Sequence, residues 1–517
     1  MAKFAARQWI IVGTVASATM LQLIDTSIVN VSIAQMMGNL GATLGDISWV
    51  VTSYAVANVV MIALSGWLAQ RFGRKRYFVS SIVVFTLASL LCGMSTNVWA
   101  LVLFRFLQGM GGGGIMATGQ AILVETFPRE ELPFANAIYG MTVVIGPTIG
   151  PTLGGWITDH LSWNWIFYVN LPMGILATAL AWSFLPAPKH DSKAQSMDWT
   201  GIALLVAGIG SLQVVLERGQ DEGWMESAEI VILSAIAVIG IASFLWHEWH
   251  TRWPVVNLKL LKNRPYATGV FFSFIQGFGL YSSMFLVPVF TQSLLGFSAT
   301  DTGILMLPGS IATAFAMPVI GKAMQRGVSP QLLAGTGFFL FFVFTAMLAG
   351  FTDQSGAGDF FWPLVVRGMG MGMLFIPLTT LAIADLKGAE IPQGTAMTNM
   401  MRQLGGSVGI ALMTTFVSTR STFHRSVLTE KVSEFNPEGL TRLKGAMNLF
   451  LSQGDSPWIA RTKAIAFLSR SVGRQAALLS YLDAFRLVGL FFLIFLPLLL
   501  LFKKPSKGAK IEGVHAE

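Results

Sequence analysis

One cysteine stands in 517 residues, and charged side chains make up only 12% of them. Cys92 lies inside an apolar run, which excludes a disulfide framework and a thiolate metal site and reads as a packed core thiol. Scarce charge excludes a water-faced globule, since an ordinary soluble domain carries about a quarter charged residues. The histidines His160, His190, His247, His250, His424 and His515 have no metal-ligand spacing, so no metal is expected. Gly111 to Gly114 invites comparison with phosphate loops, but it sits in an apolar run without a following Gly-Lys-Ser/Thr, which disfavours a nucleotide. No hydrolytic triad stands out, and the chain does not read as an enzyme. Lysine is missing from the interiors of the apolar runs, which argues against a proton-translocating respiratory subunit built on buried lysines. The first apolar stretch carries Gln22, Asp25 and Asn30 and no small-residue cleavage pattern, so it reads as a retained span rather than a removable signal peptide.

What is present is apolar sequence, 53% of the chain. Runs long enough to cross hydrocarbon, about 20 residues each, recur from end to end. They are continuous rather than alternating and rich in Gly, Phe and Met, so helices are expected and barrel strands are not. Spans fall near residues 10–34, 48–69, 78–95, 99–122, 136–157, 166–185, 199–216, 228–246, 267–291, 302–323, 331–350, 360–384, 395–418 and 484–502, about fourteen in all. The predicted class is an all-α integral membrane protein in contact with lipid over most of its surface.

The formal charge of +8 reports topology rather than a nucleic-acid partner. Lys3, Arg7, Arg71, Arg74, Lys75, Arg76, Arg129, Lys189, Lys193, Arg252, Lys259, Lys262, Arg264, Lys322, Arg326, Lys387 and the lysines of the tail all fall in alternate loops or at the termini. The intervening short loops hold only Arg218, beside Glu217, Asp221, Glu222 and Glu226. Positive charge is retained on the cytoplasmic side, so an even number of spans with both termini cytoplasmic fits the pattern. The stretch 419–483 then lies outside. Leu443, Met447, Phe450 and Leu451, and later Trp458, Ile459, Thr462, Ile465 and Ala466, recur at helical spacing and predict one or two amphipathic helices. Such helices either cap the protein's own outer face or dock another protein.

Charges inside spans are costly and mark function by default. Asp25 lies about 16 residues, or ~24 Å, into a helix entering from inside, and Arg105 about 7 residues, or ~10 Å, into one entering from outside. Both therefore reach the outer half of the bilayer. Gln22, Asp25 and Ser32 share one helical stripe and Arg105, Gln108, Gly109 and Gly112 another. Two readings stand: Asp25 as a proton-binding group whose affinity responds to Arg105, or a permanent ion pair that fixes packing. In a later span Asn399, Arg402, Gln403 and Gly406 form one polar face, with Arg402 either in a cavity or snorkelling to the inner surface. Arg367 matches Arg105 in level, and either could bind an anionic substrate group or an internal carboxylate. With Gln276 and Tyr281, the residues Gln22, Asn30, Gln108, Arg367, Asn399, Arg402 and Gln403 are the substrate-cavity candidates. Gly146, Gly150 and Gly154 form a small-residue stripe beside Pro147 and Pro151, either a hinge or static close packing. Met369, Met371, Met373, Met397, Met400 and Met401, with Phe271, Phe272, Phe274 and Phe278, offer a soft pocket or plain helix packing.

Two halves echo each other: Arg105-Phe-Leu-Gln-Gly109-Met-Gly111 resembles Arg367-Gly-Met-Gly370-Met-Gly372, and Gly66 to Arg76 has a fainter counterpart from Gly321 to Gly327. Repeat-built transporters show such symmetry, with substrate at the interface of the halves. The residues resemble the major facilitator superfamily, specifically its fourteen-span drug:proton antiporters of the EmrB and QacA type. The resemblance runs over nearly the whole chain. It rests on Leu23-Ile-Asp25-Thr-Ser-Ile-Val-Asn30, Gly66-Trp-Leu-Ala-Gln-Arg71-Phe-Gly73-Arg74, Arg105-Phe-Leu-Gln-Gly109, Gly146-Pro-Thr-Ile-Gly150-Pro-Thr-Leu-Gly-Gly155, Trp163 to Pro172 and Arg402-Gln-Leu-Gly-Gly406.

It implies the major facilitator fold: a six-helix bundle in residues 1–187, two extra spans in 188–265 and a second six-helix bundle in 266–517, with its outer loop at 419–483. It further implies alternating access and export of hydrophobic drugs against inward proton flow in a bacterial inner membrane, with no cofactor beyond the proton. Asp25 would be the family's first-span acid, and Gly66, Gly73, Arg74, Gly146, Pro147, Gly150, Pro151 and Gly154 its gating elements. Implied partners are a periplasmic adaptor of the EmrA type and a TolC-like outer-membrane channel. Gln70 departs from the loop motif's usual Asp, and Asn164 from the usual Arg between two tryptophans. A proton-coupled transporter of one specific metabolite would use the same scaffold.

Overall fold

The computed structural model describes residues 6–128, 131–186, 198–383, 386, 388, 390–432 and 436–501. Arg129, Lys189, Lys193, Lys387, the extreme N-terminus and the basic tail lie outside the described residues. Sixteen helices follow in chain order: α1 (Ala6–Leu40), α2 (Leu44–Phe72), α3 (Arg74–Gly93), α4 (Val98–Thr126), α5 (Leu132–His160), α6 (Trp165–Tyr168), α7 (Asn170–Phe184), α8 (Trp199–Arg218), α9 (Ala228–His250), α10 (Arg264–Ser293), α11 (Ala299–Gln325), α12 (Pro330–Leu348), α13 (Phe361–Ile383), α14 (Glu390–Lys431), α15 (Pro437–Ser452) and α16 (Pro457–Phe495). Among the described residues there is no strand.

Short polar turns start these helices. Thr43 and Asp46 form a reciprocal capping box on α2, and Ser298 with Asp301 repeats it on α11. Asn97, Asp198 and Asn263 accept from the first backbone N–H groups of α4, α8 and α10. Proline sits at the first turn of α12, α15 and α16, where its missing N–H is harmless.

Among the described residues, thirteen helical segments are long and apolar enough to cross a bilayer. The remaining expected span, 395–418, belongs to α14, whose apolarity is lowered by the polar face of Asn399, Arg402 and Gln403. Burial explains why the sequence tolerates this: α14 packs on α10, α16 and α2 in the interior of the molecule. At 42 residues, α14 is about 63 Å long, twice the ~30 Å of hydrocarbon, so it leaves the membrane as a continuous rod.

The same holds for the 39-residue α16, with α15 packed against its outer portion. Of the one or two outer helices expected in 419–483, the one carrying Leu443, Met447, Phe450 and Leu451 is α15, whereas Trp458 to Ala466 belong to α16 itself. The described residues of the stretch are the projecting ends of α14 and α16 with α15 between them, clamped where Asp483 accepts from Arg420 (2.6 Å) and contacts His424 (2.9 Å).

Helices α1 to α7 pack among themselves, as do α10 to α16. The two groups meet along α5–α11 and α2–α14, with further contacts of α14 on α4 and α13 on α5. Helix α8 lies across the seam: it packs on α2 and α14, donates from Gln213 to Ser407 of α14 (2.9 Å), and carries α9 on its far side. Exposed Ile232, Ile236, Val238 and Ile239 make the outer face of α9 a lipid-facing surface.

At the basic end the halves touch through backbone. A Cβ on Gly66 would lie 2.7 Å from Cα of Gln393 and 2.9 Å from the Pro392 carbonyl, and one on Gly321 3.0 Å from the Pro133 carbonyl. Gln393 donates to Gln70 (3.2 Å) and Asn136 to Thr380 (3.4 Å) across the same divide. Seam α5–α11 is also tight at its other end, where Gly303 faces Thr152.

Candidate functional site

Asp25 is fully buried and accepts three hydrogen bonds. Oδ2 takes Nη1 of Arg105 at 2.6 Å; Oδ1 takes Nε2 of Gln108 at 2.8 Å and Nδ2 of Asn170 at 2.7 Å. Arg105, 1% exposed, also donates to Oε1 of Gln108 (2.8 Å) and, through Nε, to the Val50 carbonyl (3.4 Å). Its guanidinium carbon lies 4.1 Å from the Tyr54 ring centroid, within cation–π range. Ser89 touches Asn170 at 3.1 Å, and the Cys92 thiol lies 3.6 Å from Gln108 Oε1. This donor set matches a carboxylate, which is acceptor-only and needs several donors once water is removed.

Helix packing delivers the residues. Gly111 and Gly114 press α4 onto α3, where a Cβ would meet the Ser81 carbonyl (2.7 Å) and the Ser81 hydroxyl, while Gly113 presses it onto the Asn58 carbonyl of α2. The glycine run is therefore a packing surface that seats Arg105 and Gln108 against their partners. Gly146, Gly150 and Gly154 do the same for α5, facing Leu23, Ser27 and Ile28 of α1 on either side of Asp25 in sequence. Helix α5 runs unbroken through Pro147 and Pro151.

The second half is built differently. Arg402 is fully buried and does not snorkel; it donates to Asn399 Oδ1 (2.8 Å) and Thr379 Oγ1 (3.5 Å), lies 4.7 Å from the Phe375 ring centroid and leaves Nε without a partner. Asn399 in turn donates to Gln120 of the first half. Arg367, 3% exposed, donates to Ser283 (3.0 Å) and leaves Nη2 unpartnered. Neither arginine makes an ion pair among the described residues. Gln276 is buried with neither amide atom bonded, one residue from Gly277, whose Cβ position is filled by the Arg402 carbonyl. Tyr281 donates to Gln403 (3.2 Å).

The structure therefore brings together Asp25, Arg105 and Gln108, and separately Asn399, Arg402 and Gln403 with Tyr281 alongside. Gln22 is buried on the Tyr54 side of α1, its Cγ 3.2 Å from the Cβ position of Gly112, with Oε1 unpartnered. Asn30 is exposed and takes no part in the Asp25 network. Of the proposed soft pocket, Met371, Met397, Met400, Phe272 and Phe278 are buried, whereas Met369 and Phe271 are exposed. Gly73 has φ +86 between α2 and α3, and Arg74 pairs with Glu125 of α4. Asn164 donates to the Gly93 carbonyl (2.6 Å) at the end of α3, a local use for the residue that replaces an arginine.

Sequence reasoning did not select Asn170, Ser89 or Tyr54. Asn170 was the most accessible of the three, a lone amide opening an apolar span; Ser89 and Tyr54 look like ordinary span residues until five helices converge.

Two packed helical bundles spanning a membrane, one with a buried acid–base pair and the other with buried arginines that make no ion pair among the described residues, define a polytopic transporter. The chain belongs to the Major Facilitator Superfamily, whose family model matches residues 15–410. It is 32% identical over 494 residues to the multidrug export protein EmrB of Escherichia coli K12, covering 95% of this chain and 94% of that protein. It is also 32% identical over 505 residues to the fatty acid resistance protein FarB of Neisseria gonorrhoeae, covering 97% of each. Among solved structures, the human organic anion transporter MFSD10 (TETRAN) shares the fold with a TM-score of 0.57 at 12% identity, covering 94% of this chain and 99% of that one.

Proposed function

We propose that the protein is a proton-coupled antiporter that exports hydrophobic compounds by alternating access, with Asp25 as the proton carrier and Arg105 as the group that competes with the proton. The observation that carries this reading is the buried Asp25–Arg105 pair at 2.6 Å, flanked by amides able to hold the carboxyl group in either form. When Arg105 withdraws, Asp25 loses its counter-charge and takes up a proton in its place. When Arg105 returns, the proton is released. Substrate is taken at the interface of the halves, where Gln276, Asn399, Arg402 and Gln403 supply polarity among Met and Phe. Unpaired Arg402 and Arg367 favour substrates with an acidic group, a reading in keeping with the name of FarB.

The segregation of cations supports a cytoplasmic basic end in a bacterial inner membrane. The outer projection of α14, α15 and α16, with Trp458, Ile465 and Phe467 exposed, supports docking of an EmrA-type adaptor leading to a TolC-like channel. A transporter of one specific metabolite is the second reading, and the unpaired arginines favour it only if that metabolite is an anion. In proteoliposomes under an imposed pH gradient, a fluorescent hydrophobic compound should be moved by the wild type and not by Asp25→Asn. Full transport by the variant would remove Asp25 from the mechanism. In cells, resistance to many unrelated hydrophobic compounds supports the exporter, and to one compound alone the second reading.

A further inference from the structure

Helix α8 and the turn that joins it to α9 touch both halves of the molecule, on α2 and on α14. They do so far from the basic end. Thr415, the outermost α14 residue they contact, lies about 22 residues, or ~33 Å, along the helix from Gln393.

On the first half the hold is fixed. Arg218, the last residue of α8, keeps its guanidinium carbon 4.6 Å from the ring centroid of Trp49 on α2, and Glu222 (2.6 Å) and Glu229 (3.4 Å) pin it there. Gly210 packs lower down on Val56 of α2, 3.6 Å from its Cβ position.

On the second half there are two polar contacts, and every group in them has another partner on its own side. Gln213 donates through Nε2 to Ser407 (2.9 Å) and also to Glu217 (2.9 Å), while the Ser407 hydroxyl donates to the Gln403 carbonyl (3.3 Å). Trp224 shares its Nε1 proton between Thr415 (3.1 Å) and Gln220 (3.2 Å), while the Thr415 hydroxyl donates to the Ala411 carbonyl (2.9 Å). If α14 moves away, all four groups keep a partner. The penalty for stranding a buried polar group, which makes such contacts hard to break, is largely avoided.

Trp224 is aimed at α14 by an unusual backbone. Its φ of +54 is the one positive value at a non-glycine among the described residues. Its N–H donates to the Gly219 carbonyl (2.7 Å), and its ring lies where a Cβ on Gly219 would come within 2.6 Å. This conformation is costly for a bulky side chain and persists where the surroundings fix that side chain in place.

We infer that the α8–α9 hairpin is a latch on the α2–α14 seam: it travels with α2 and releases Ser407 and Thr415 when α14 swings away. Gly66 and Gln393 close this seam at the basic end, and the latch closes it at the opposite end, the outer side in the proposed orientation. Gln213 and Trp224 are then positioning residues for outward opening. The inference rests on the alternating-access reading and adds to it the element that holds the outer side shut.

The test uses the full-length protein in nanodiscs with a reporter, Ala411→Cys, and a control without it to measure background from the buried Cys92. Ala411 is 3% exposed and lies one turn from both Ser407 and Thr415 on one stripe of α14, so a water-soluble maleimide reaches it when α14 leaves the hairpin. Adding Ser407→Ala and Thr415→Val removes both catches. Labelling should accelerate roughly tenfold, the scale of two hydrogen bonds of modest net strength, while the melting temperature stays close to that of the reporter protein. Unchanged labelling overturns the proposal, and a lowered melting temperature beside it would assign these contacts to packing alone. In a second arm, Gln213→Cys/Ser407→Cys bridged by a short bis-methanethiosulfonate should bind an exported compound without transporting it and should recover transport on reduction. Full transport by the bridged protein overturns the proposal. Failure of the alternating-access reading looks different: the reporter protein then moves no compound under a pH gradient, yet the labelling contrast between it and the variant remains.

Discussion

Replacing Arg105 by leucine would strand Asp25 among two amides with no cation. Breaking a buried ion pair from one side typically costs about 3–5 kcal/mol, so Arg105→Leu should unfold well below the wild type in a thermal or denaturant melt. Asp25→Asn/Arg105→Gln removes both charges and should recover most of that loss while transport stays uncoupled from the proton. A leucine variant as stable as the wild type would show that the pair is not buried as described. Asn170→Ala removes one of three donors; leaving an acceptor short costs about 1–3 kcal/mol, and reduced transport with coupling retained is the expected phenotype.

Much of this geometry was legible in the sequence. The rise per residue placed Asp25 and Arg105 at one depth, and the i+3 spacing put Gln108 on the same stripe as Arg105. Asn170 was not, because nothing in a single helix says which neighbour will meet it. For Arg402 the sequence left snorkelling open, since a charge near a helix end can turn either way. Burial against Phe375 and Asn399 decided it.

At the scale of elements, the glycine stripes are where shape matters most. A side chain at Gly150 would run into the Ser27 hydroxyl and one at Gly113 into the Asn58 carbonyl. Overpacking of this kind commonly costs about 1–3 kcal/mol or more, so Gly113→Val and Gly150→Leu should lower folded yield and melting temperature, measurable by fluorescence-detected size exclusion. Gly66 differs, because its neighbour is the opposite half: Gly66→Leu should keep the fold and prise α2 from α14, raising the labelling of a cysteine introduced at Gln393. Labelling at wild-type level would mean that this contact does not close the basic end.

Most spans could be placed from hydropathy because their lipid-facing surfaces must be apolar. The continuation of α14 and α16 beyond the bilayer could not, since helical periodicity in the outer stretch does not reveal that those helices are the spans themselves. The link between Gln70 and Gln393 was equally hidden. From sequence Gln70 was a missing charge; in the fold it bonds across the divide through an amide, which does not depend on ionisation.

For the molecule as a whole, the halves differ: the first keeps its buried acid and base paired, and the second keeps two buried arginines without a counter-ion among the described residues. Under the proposed function this asymmetry would separate proton handling from substrate handling, with Asn399 and Gln120 joining the two at the interface. Arg402→Gln should accordingly weaken export of compounds with an acidic group more than of neutral ones, read as a change in relative uptake rates into inverted vesicles. An equal effect on both would assign Arg402 to packing alone.

The claim on which the rest depends is that substrate and proton compete through Asp25. Addition of a saturating exported compound to concentrated protein in weakly buffered detergent, with a pH indicator, measures it directly. The account predicts release of protons from the wild type and none from Asp25→Asn, with both proteins folded; equal release from the two would contradict it.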